Sequence, residues 1–334
     1  MRKLLVVPIA LTLLVSCHSN RFDKIDTSSI DLKVQARRFE IDLFSLNPDS
    51  LSIQYPKLEA EYGNFARMFT EGIIRIGNPN TPDFYLSLKH FVTDTMVHNA
   101  YVKSELLFSN FGQINETLTQ AFKRYKYYFP NKPVPQIFTF VSGYNLSLAV
   151  DDSILAVGLD RYRGAKTVEY RLMGIPFYQQ RKMIPEKIPS DLMRAWMYAA
   201  FEFNDSIDNL LSNIIYEGEV MYLTKRMLPN QTDSLIFGFT PNEYKWCVNN
   251  ERPMWTSLIE NKMLFSTNTS DINKLINDAP FTSGFPQESP GRAAVWLGYR
   301  IVNRFMDRND TLTLAQLMQI KDYTNILREA RYNP

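Results

Sequence analysis

The chain has 334 residues, of which 45% are apolar and 13% aromatic, enough for a sizeable core in one large domain or two smaller ones. Lys and Arg (37) nearly balance Asp and Glu (35), and the net charge of +2 excludes the basic footprint of a nucleic-acid binder. Two basic clusters, Arg37-Arg38 and Lys123-Arg124 with Lys126, are too short to supply one and are expected to be solvated.

The chain starts with Met1-Arg2-Lys3, a short positive segment, and an apolar run from Leu4 to Val15 interrupted by Pro8 and Thr12. That run is too short for a permanent membrane span, which needs about 20 residues. A charged start, a short apolar core and small residues before a cut site make a signal peptide. Leu14-Val15-Ser16-Cys17 adds the lipobox pattern of bacterial lipoproteins, in which the cysteine takes a diacylglycerol before cleavage. Residues 1–16 are thus expected to be removed, leaving Cys17 with palmitate-type chains; stable anchoring needs more than one. His18, not Asp, follows the cysteine, which by lipoprotein sorting logic favours the outer membrane. Ser19-Asn20-Arg21 carries no acidic run of the kind that marks surface export, so the body is expected to face the periplasm. With Cys17 lipidated, Cys247 is the other cysteine, and no internal disulfide is expected. Between Trp246 and Val248 it reads as a small core residue.

Residues 17–31 are polar and read as a tether, and 32–334 as the globular body. In its first part, 32–133, Val34 to Phe44 reads as a strand entering a helix, and Asp49-Ser50 as a helix start. Apolar residues at Leu58, Tyr62, Phe65, Phe69 and Ile73 predict a helix from Tyr55 to Ile76. Phe84–His98 and Glu116–Tyr128 read as two more. In the second part, 134–334, the texture changes. Gln136–Val141, Leu146–Val150 and Ile154–Leu159 read as strands, with turns at Gly143-Tyr144-Asn145 and Asp151-Asp152-Ser153, and predict an antiparallel meander. Helical patterns follow over Asp191–Phe203, Asp208–Met227, Asn242–Asn249, Trp255–Lys262, Arg292–Met306 and Leu314–Ile320. The fold class expected is α+β, mostly helical, with a small antiparallel sheet.

The histidines are His18, His90 and His98, and none lies between residues 99 and 334. There is no His-Glu-x-x-His, no Cys-x-x-Cys and no Gly-rich phosphate loop, so no metal ligand set or cofactor is expected. A hydrolase built on carboxylates, or on a metal held by Glu, Asp and water, would draw on Glu202, Asp205, Glu217 and Glu219. The loop Pro280–Arg292 gathers Gly284, Pro286, Pro290 and Gly291, with Gln287, Glu288 and Arg292 as polar groups. It is either a rigid connection or, at a helix N-terminus, a place where backbone N–H groups meet an anion or peptide carboxylate.

The order of elements resembles a gluzincin-type metallopeptidase, in which a sheet precedes the His-Glu-x-x-His helix and the next helix brings the third zinc ligand. Ile215-Tyr216-Glu217-Gly218-Glu219 resembles that third-ligand segment. Counting back by the spacing of such enzymes lands on Met193-Arg194-Ala195-Trp196-Met197, with Arg194 about where the general base would stand and no imidazole nearby. Glu217, Arg194 and Glu219 are therefore candidates for a vestigial site, against the plainer reading of Glu217 as a locally paired helix residue. Nearly the whole chain also resembles the gliding-motility lipoproteins of the GldB type from Bacteroidetes. The segments that carry this are the lipobox, Ala36-Arg37-Arg38-Phe39-Glu40-Ile41-Asp42-Leu43-Phe44, Val157-Gly158-Leu159-Asp160-Arg161-Tyr162, Ile215-Tyr216-Glu217-Gly218 with Met221-Tyr222-Leu223, and Phe281-Thr282-Ser283 through Ser289-Pro290-Gly291-Arg292 to Trp296-Leu297-Gly298-Tyr299. The resemblance implies a metallopeptidase-like core without its metal. It also implies a non-enzymatic envelope lipoprotein tied to gliding or secretion machinery as a scaffold or binding subunit. Its partners would be the membrane, through Cys17, and other envelope proteins. A peptide- or ligand-binding lipoprotein that uses the former cleft is the alternative, as is a peptidase with residual activity.

Asp followed by Ser or Thr and an aliphatic residue or Met occurs at Ser50, Thr95, Ser153, Ser206, Ser234 and Thr311. Six such triplets exceed the roughly one to two that average composition gives. The pattern resembles an O-glycosylation acceptor of exported proteins, and equally a helix cap or turn, where Asp and Ser oxygens accept backbone N–H bonds. Intact mass of the mature protein from its own host separates the two. Mass beyond polypeptide and lipid means glycan, and its absence removes that reading.

Overall fold

The computed structural model describes residues 20–334; Cys17, His18 and the signal segment lie outside the described residues. A two-residue strand, β1 (Arg37–Arg38), enters α1 (Phe39–Phe44). Then come α2 (Leu51–Tyr62), α3 (Asn64–Arg67), α4 (Phe84–Thr93), α5 (Thr95–Leu107) and α6 (Gly112–Tyr128). The helix expected from Tyr55 to Ile76 is broken at Gly63, whose φ of 56° ends α2. It resumes as α3 and a π turn over Met68–Ile73. The helix expected over Phe84–His98 is also two helices. Asp94 leaves α4 in an extended conformation and caps α5 by accepting the N–H groups of Met96 and Val97.

β2 (Gln136–Phe140), β3 (Leu148–Asp151) and β4 (Ile154–Gly158) complete a four-stranded sheet of order β1-β2-β4-β3. The expected antiparallel meander is corrected to a mixed sheet. β3 and β4 form the antiparallel hairpin, but β2 runs parallel to both β4 and β1. The reason is burial. Ile-Leu-Ala-Val-Gly of β4 is buried at every position and needs a neighbour on each side. β3 exposes Val150 and Asp151 and tolerates the edge.

The sheet separates two cores. Phe138, Phe140, Ile154 and Ala156 meet Phe39, Phe65 and Phe69 of the N-terminal helices, with Phe65 stacked on Phe138 at 4.3 Å. Ile137, Leu155 and Val157 face the larger core shared with α6 and the C-terminal helices. The C-terminal helices are α7 (Val168–Leu172) and α8 (Phe177–Gln180), which lie outside that core, and then α9 (Ile188–Ala200), α10 (Leu210–Met227), α11 (Asp233–Phe237), α12 (Pro241–Asn249), α13 (Glu251–Glu260), α14 (Thr269–Ile276), α15 (Ala293–Arg308), α16 (Leu314–Leu317) and α17 (Tyr323–Ala330), which build it. Cys247 is free and buried, and burial pushes its thiol up.

The basic clusters are not simply solvated. Arg38 ties the buried Glu40 (2.5 Å) to Glu105 (2.9 Å), and Glu40 also accepts from Thr139 on β2. Burial raises the Glu40 carboxyl above its ordinary range, with Arg38 opposing. Arg124 is buried and donates to the carbonyls of Phe22, Asp23 and Arg226. Tyr128 donates to the same Phe22 carbonyl at 2.6 Å, and Asp23 pairs with Arg226 at 2.9 Å. The described chain therefore begins already stitched to the C-terminal ends of α6 and α10.

α10 and α15 make the tightest crossing. A Cβ on Gly298 would lie 1.6 Å from the Ile214 carbonyl oxygen, and one on Gly218 would lie 2.2 Å from the Gly298 carbonyl carbon. Only glycine permits two backbones this close. Gly298→Ala is expected to destabilise the fold by about 3 kcal/mol or more, read as a lower urea midpoint; an unchanged midpoint would contradict the crossing.

Candidate functional site

α9 is two-faced. Leu192, Met193, Trp196 and Met197 are buried in the core, while Asp191, Arg194 and Tyr198 form a stripe at helical spacing on another side. Asp191 and Arg194 of that stripe border a concave space of about 260 Å3, closed by the start of edge strand β3, the Met183–Lys187 segment and the loop before α15. Leu148, Met183 and Phe237 form its apolar wall.

The rest is charge. Lys187 is buried and donates to Asp191 (2.7 Å), Ser190 (2.8 Å) and the Ile236 carbonyl. Tyr162 donates to the other Asp191 oxygen at 2.9 Å. Burial works against the Asp191 charge, but Lys187 and Arg194 outweigh it and hold the carboxyl below its ordinary range. Burial lowers Lys187 to about 8, with Asp191 opposing. Lys182 pairs with Asp278 at 2.7 Å. Burial alone would raise Asp278, yet Lys182 and Arg292 bring it down to about 2. Arg292, in the left-handed conformation at the N-cap of α15, reaches Glu217 at 3.0 Å and the Ile276 carbonyl at 3.2 Å. Glu217 also accepts from Tyr198 at 2.6 Å.

Arg161, on the rim, donates to Ser147 and to the Tyr144 carbonyl. Its neighbour Asp160 takes the N–H groups of Ser142 and Tyr144 and so fixes the turn that leads into β3. Burial raises Asp160 to about 6, and among the described residues its Oδ1 has no partner.

Of the residues singled out in the sequence, Arg194, Glu217 and Arg292 come together here. Glu219 does not. Two residues along α10 it turns to the other side, is buried, and leaves Oε1 without a partner among the described residues. Glu202 and Asp205 are exposed after α9, so the four carboxylates considered for a hydrolase do not converge. Gln287 and Glu288 are exposed on the loop. The loop is latched from inside. Thr282 Oγ1 donates to the Pro290 carbonyl (2.6 Å) and accepts from the Ala293 N–H (2.8 Å), so the first amide of α15 is already used. Among the described residues no group of three or more His, Cys, Asp or Glu is placed to hold a metal. Lys182, Lys187, Asp191, Tyr198 and Asp278 were not singled out from the sequence. The signal that existed was the spacing Lys187, Asp191, Arg194, Tyr198, which places all four on one side of a helix.

The glycosylation candidates are all at the surface. Thr95, Ser153, Ser206 and Thr311 are exposed, and Ser50 and Ser234 half-buried. Asp94 beside Thr95 is a helix cap, and Ser153 sits in the β3–β4 turn.

These features define an α+β protein, mostly helical, in which edge strand β3, α9 and the loop before α15 frame a cleft held by ion pairs. The family model for gliding motility protein GldB matches residues 20–334, and the chain belongs to that family. No curated protein and no solved structure matches it. Among the described residues no helix is long and apolar enough to cross a membrane.

Glu219 yields a pH prediction. Burial raises its carboxyl well above the ordinary value, with Lys321 opposing. Unfolded, a glutamate titrates at about 4.3. The folded protein therefore binds this proton more tightly, and stability falls as pH rises from there toward the raised value. Glu219→Gln removes the titration. It is expected to raise stability by about 1–3 kcal/mol at neutral pH, with the gain shrinking toward pH 5. Thermal melts at both pH values check this, and a gain that grows on acidification would reverse the sign.

Proposed function

We propose that this chain is a non-enzymatic, lipid-anchored component of the envelope machinery for gliding or secretion, serving as a scaffold or binding subunit through the cleft beside α9. The family membership supports the setting. The observation that carries the non-enzymatic role is the locked state of Glu217. In the resemblance to gluzincins this is the third-ligand position, yet here its carboxylate is held by Arg292 and Tyr198, with Arg194 nearby on α9. A carboxylate committed to an arginine and a phenol is engaged as a structural strut. The metallopeptidase-like core without a metal belongs to this proposal as its evolutionary reading.

The anchor geometry follows from the stitched start. Cys17 and Asn20 are three residues apart, a reach of at most about 11 Å. Asn20 bonds Tyr222, and Arg21 bonds the carbonyls of Asn309 and Leu312. Lipid on Cys17 would hold the C-terminal ends of α10 and α15 against the outer membrane from the periplasmic side. The cleft, beside the N-terminal end of α15, would be turned toward partners.

Purified protein is expected to contain no stoichiometric zinc and to cleave no peptide; stoichiometric zinc that is lost on Glu217→Ala would overturn the non-enzymatic reading. Cys17→Ala is expected to release the protein from membranes after a salt wash, and retention would refute lipid anchoring. Protease added to intact cells is expected to spare the protein, and rapid loss would mean that it faces outward.

A further inference from the structure

The cleft has more positive charge than it uses. Arg161, Lys182, Lys187, Arg194 and Arg292 border it. Asp191 and Asp278 border it from the acidic side, with Glu217 just behind Arg292. Each carboxylate is already taken: Asp191 by Lys187 and Tyr162, Asp278 by Lys182, Glu217 by Arg292 and Tyr198. Arg161 is spent on Ser147 and the Tyr144 carbonyl. That leaves Arg194. Its closest ionic contact is Asp191 at 3.5 Å, beyond the 2.7–2.9 Å of a charge-assisted hydrogen bond. Its side chain is 21% exposed, toward the cleft its helix borders. A guanidinium with five donors in a fixed fork, uncommitted in a recess with surplus positive charge, is built for a planar or tetrahedral oxyanion.

We propose that the cleft binds an oxyanion, carboxylate or phosphate, through the fork of Arg194, with Lys182 and Arg292 supplying the surrounding field. This rests on the binding role proposed above and names its ligand class. The size fits. A space of about 260 Å3 takes one such group and a small appendage, not a large cofactor. The appendage is apolar, because Leu148, Met183 and Phe237 form the remaining wall. Edge strand β3 runs into the cleft at Ser147 and Leu148, so a peptide ending in a carboxylate would find a sheet edge beside the charge.

Titration calorimetry on the full mature chain, at physiological salt, uses two probes: inorganic phosphate, and a short peptide with an apolar C-terminal residue as free acid and as amide. The expected result is saturable binding of one or both acids and loss of the peptide signal in the amide. Phosphate alone would assign a phosphate ligand, and the free acid alone a peptide terminus. Arg194→Gln should weaken binding at least about tenfold. Arg194→Lys, which keeps the charge and loses the fork, should fall between. Both variants are first checked for a native circular dichroism spectrum. Because Arg194 also supports Asp191, Lys89→Gln, which removes one exposed positive charge on α4 outside the cleft, provides a second folded control that should retain binding within about threefold. No saturable binding of either acid, equal binding of acid and amide without phosphate binding, or unchanged affinity in Arg194→Gln overturns the proposal. Saturable binding accompanied by peptide cleavage would leave the oxyanion site standing and sink the non-enzymatic reading, so the two fail separately.

Discussion

The close passage of α10 over α15 is the constraint on which the rest of the structure depends. Gly218 and Gly298 remove the side chains that would hold the helices apart, and their backbones meet. Once that point is fixed, the positions on either side are fixed too. Toward the N-terminal ends, Glu217 is carried to Arg292. Toward the C-terminal ends, Tyr222 comes to Tyr299 at 6.2 Å, and Arg226 and Met306 border one hollow with Asn20 and Asp23. The same crossing thus sets the Glu217–Arg292 pair behind the cleft on one side and the docking place of the N-terminal segment on the other. A backbone contact suits this role because it has no rotamers to relax.

The N-terminal segment shows how little of this chain's charge is idle. Arg124, Tyr128 and Arg226 converge on Phe22 and Asp23, and Phe22 lies edge-on to Tyr128 and Tyr222. A polar leader packed in this way is a buttress. It ties residues 20–23 to the C-terminal ends of α6, α10 and α15.

Much of the helical architecture was legible because its apolar periodicity is strong. Asp191–Phe203, Asp208–Met227 and Arg292–Met306 are close to α9, α10 and α15. What failed was long-range or single-residue. The strands were found, but their order was not, since nothing local in Gln136–Phe140 says that its neighbour is the second strand ahead. The Tyr55–Ile76 and Phe84–His98 helices were split by Gly63 and Asp94, one by a positive φ and the other by a cap. α14 and α17 were missed; both are short, and α14 starts from an Asn cap that looks like loop. Arg38 and Arg124 looked like surface charge because their partners lie far along the chain. In the site, Glu217, Arg194 and Arg292 could be suspected from segments of the chain. Lys182 and Asp278 could not, because only the fold brings residues 96 apart to 2.7 Å.

The charges around α9 are hard to explain as stabilisers. Desolvating an ion pair costs several kcal/mol per ion, and well-packed apolar residues of similar volume often do as well or better. Lys187 shows that cost directly, since burial brings its ammonium down to about 8 even with Asp191 at 2.7 Å. The core on the opposite face of α9 takes the apolar route, with Leu192, Met193, Trp196 and Met197. The two faces of one helix therefore follow different rules. Where burial alone is at issue the chain uses hydrocarbon. Where the helix borders the cleft it maintains an ionic network and leaves one arginine with donors to spare. An interior that bears the cost of charge and then withholds full pairing is organised around something that arrives from outside.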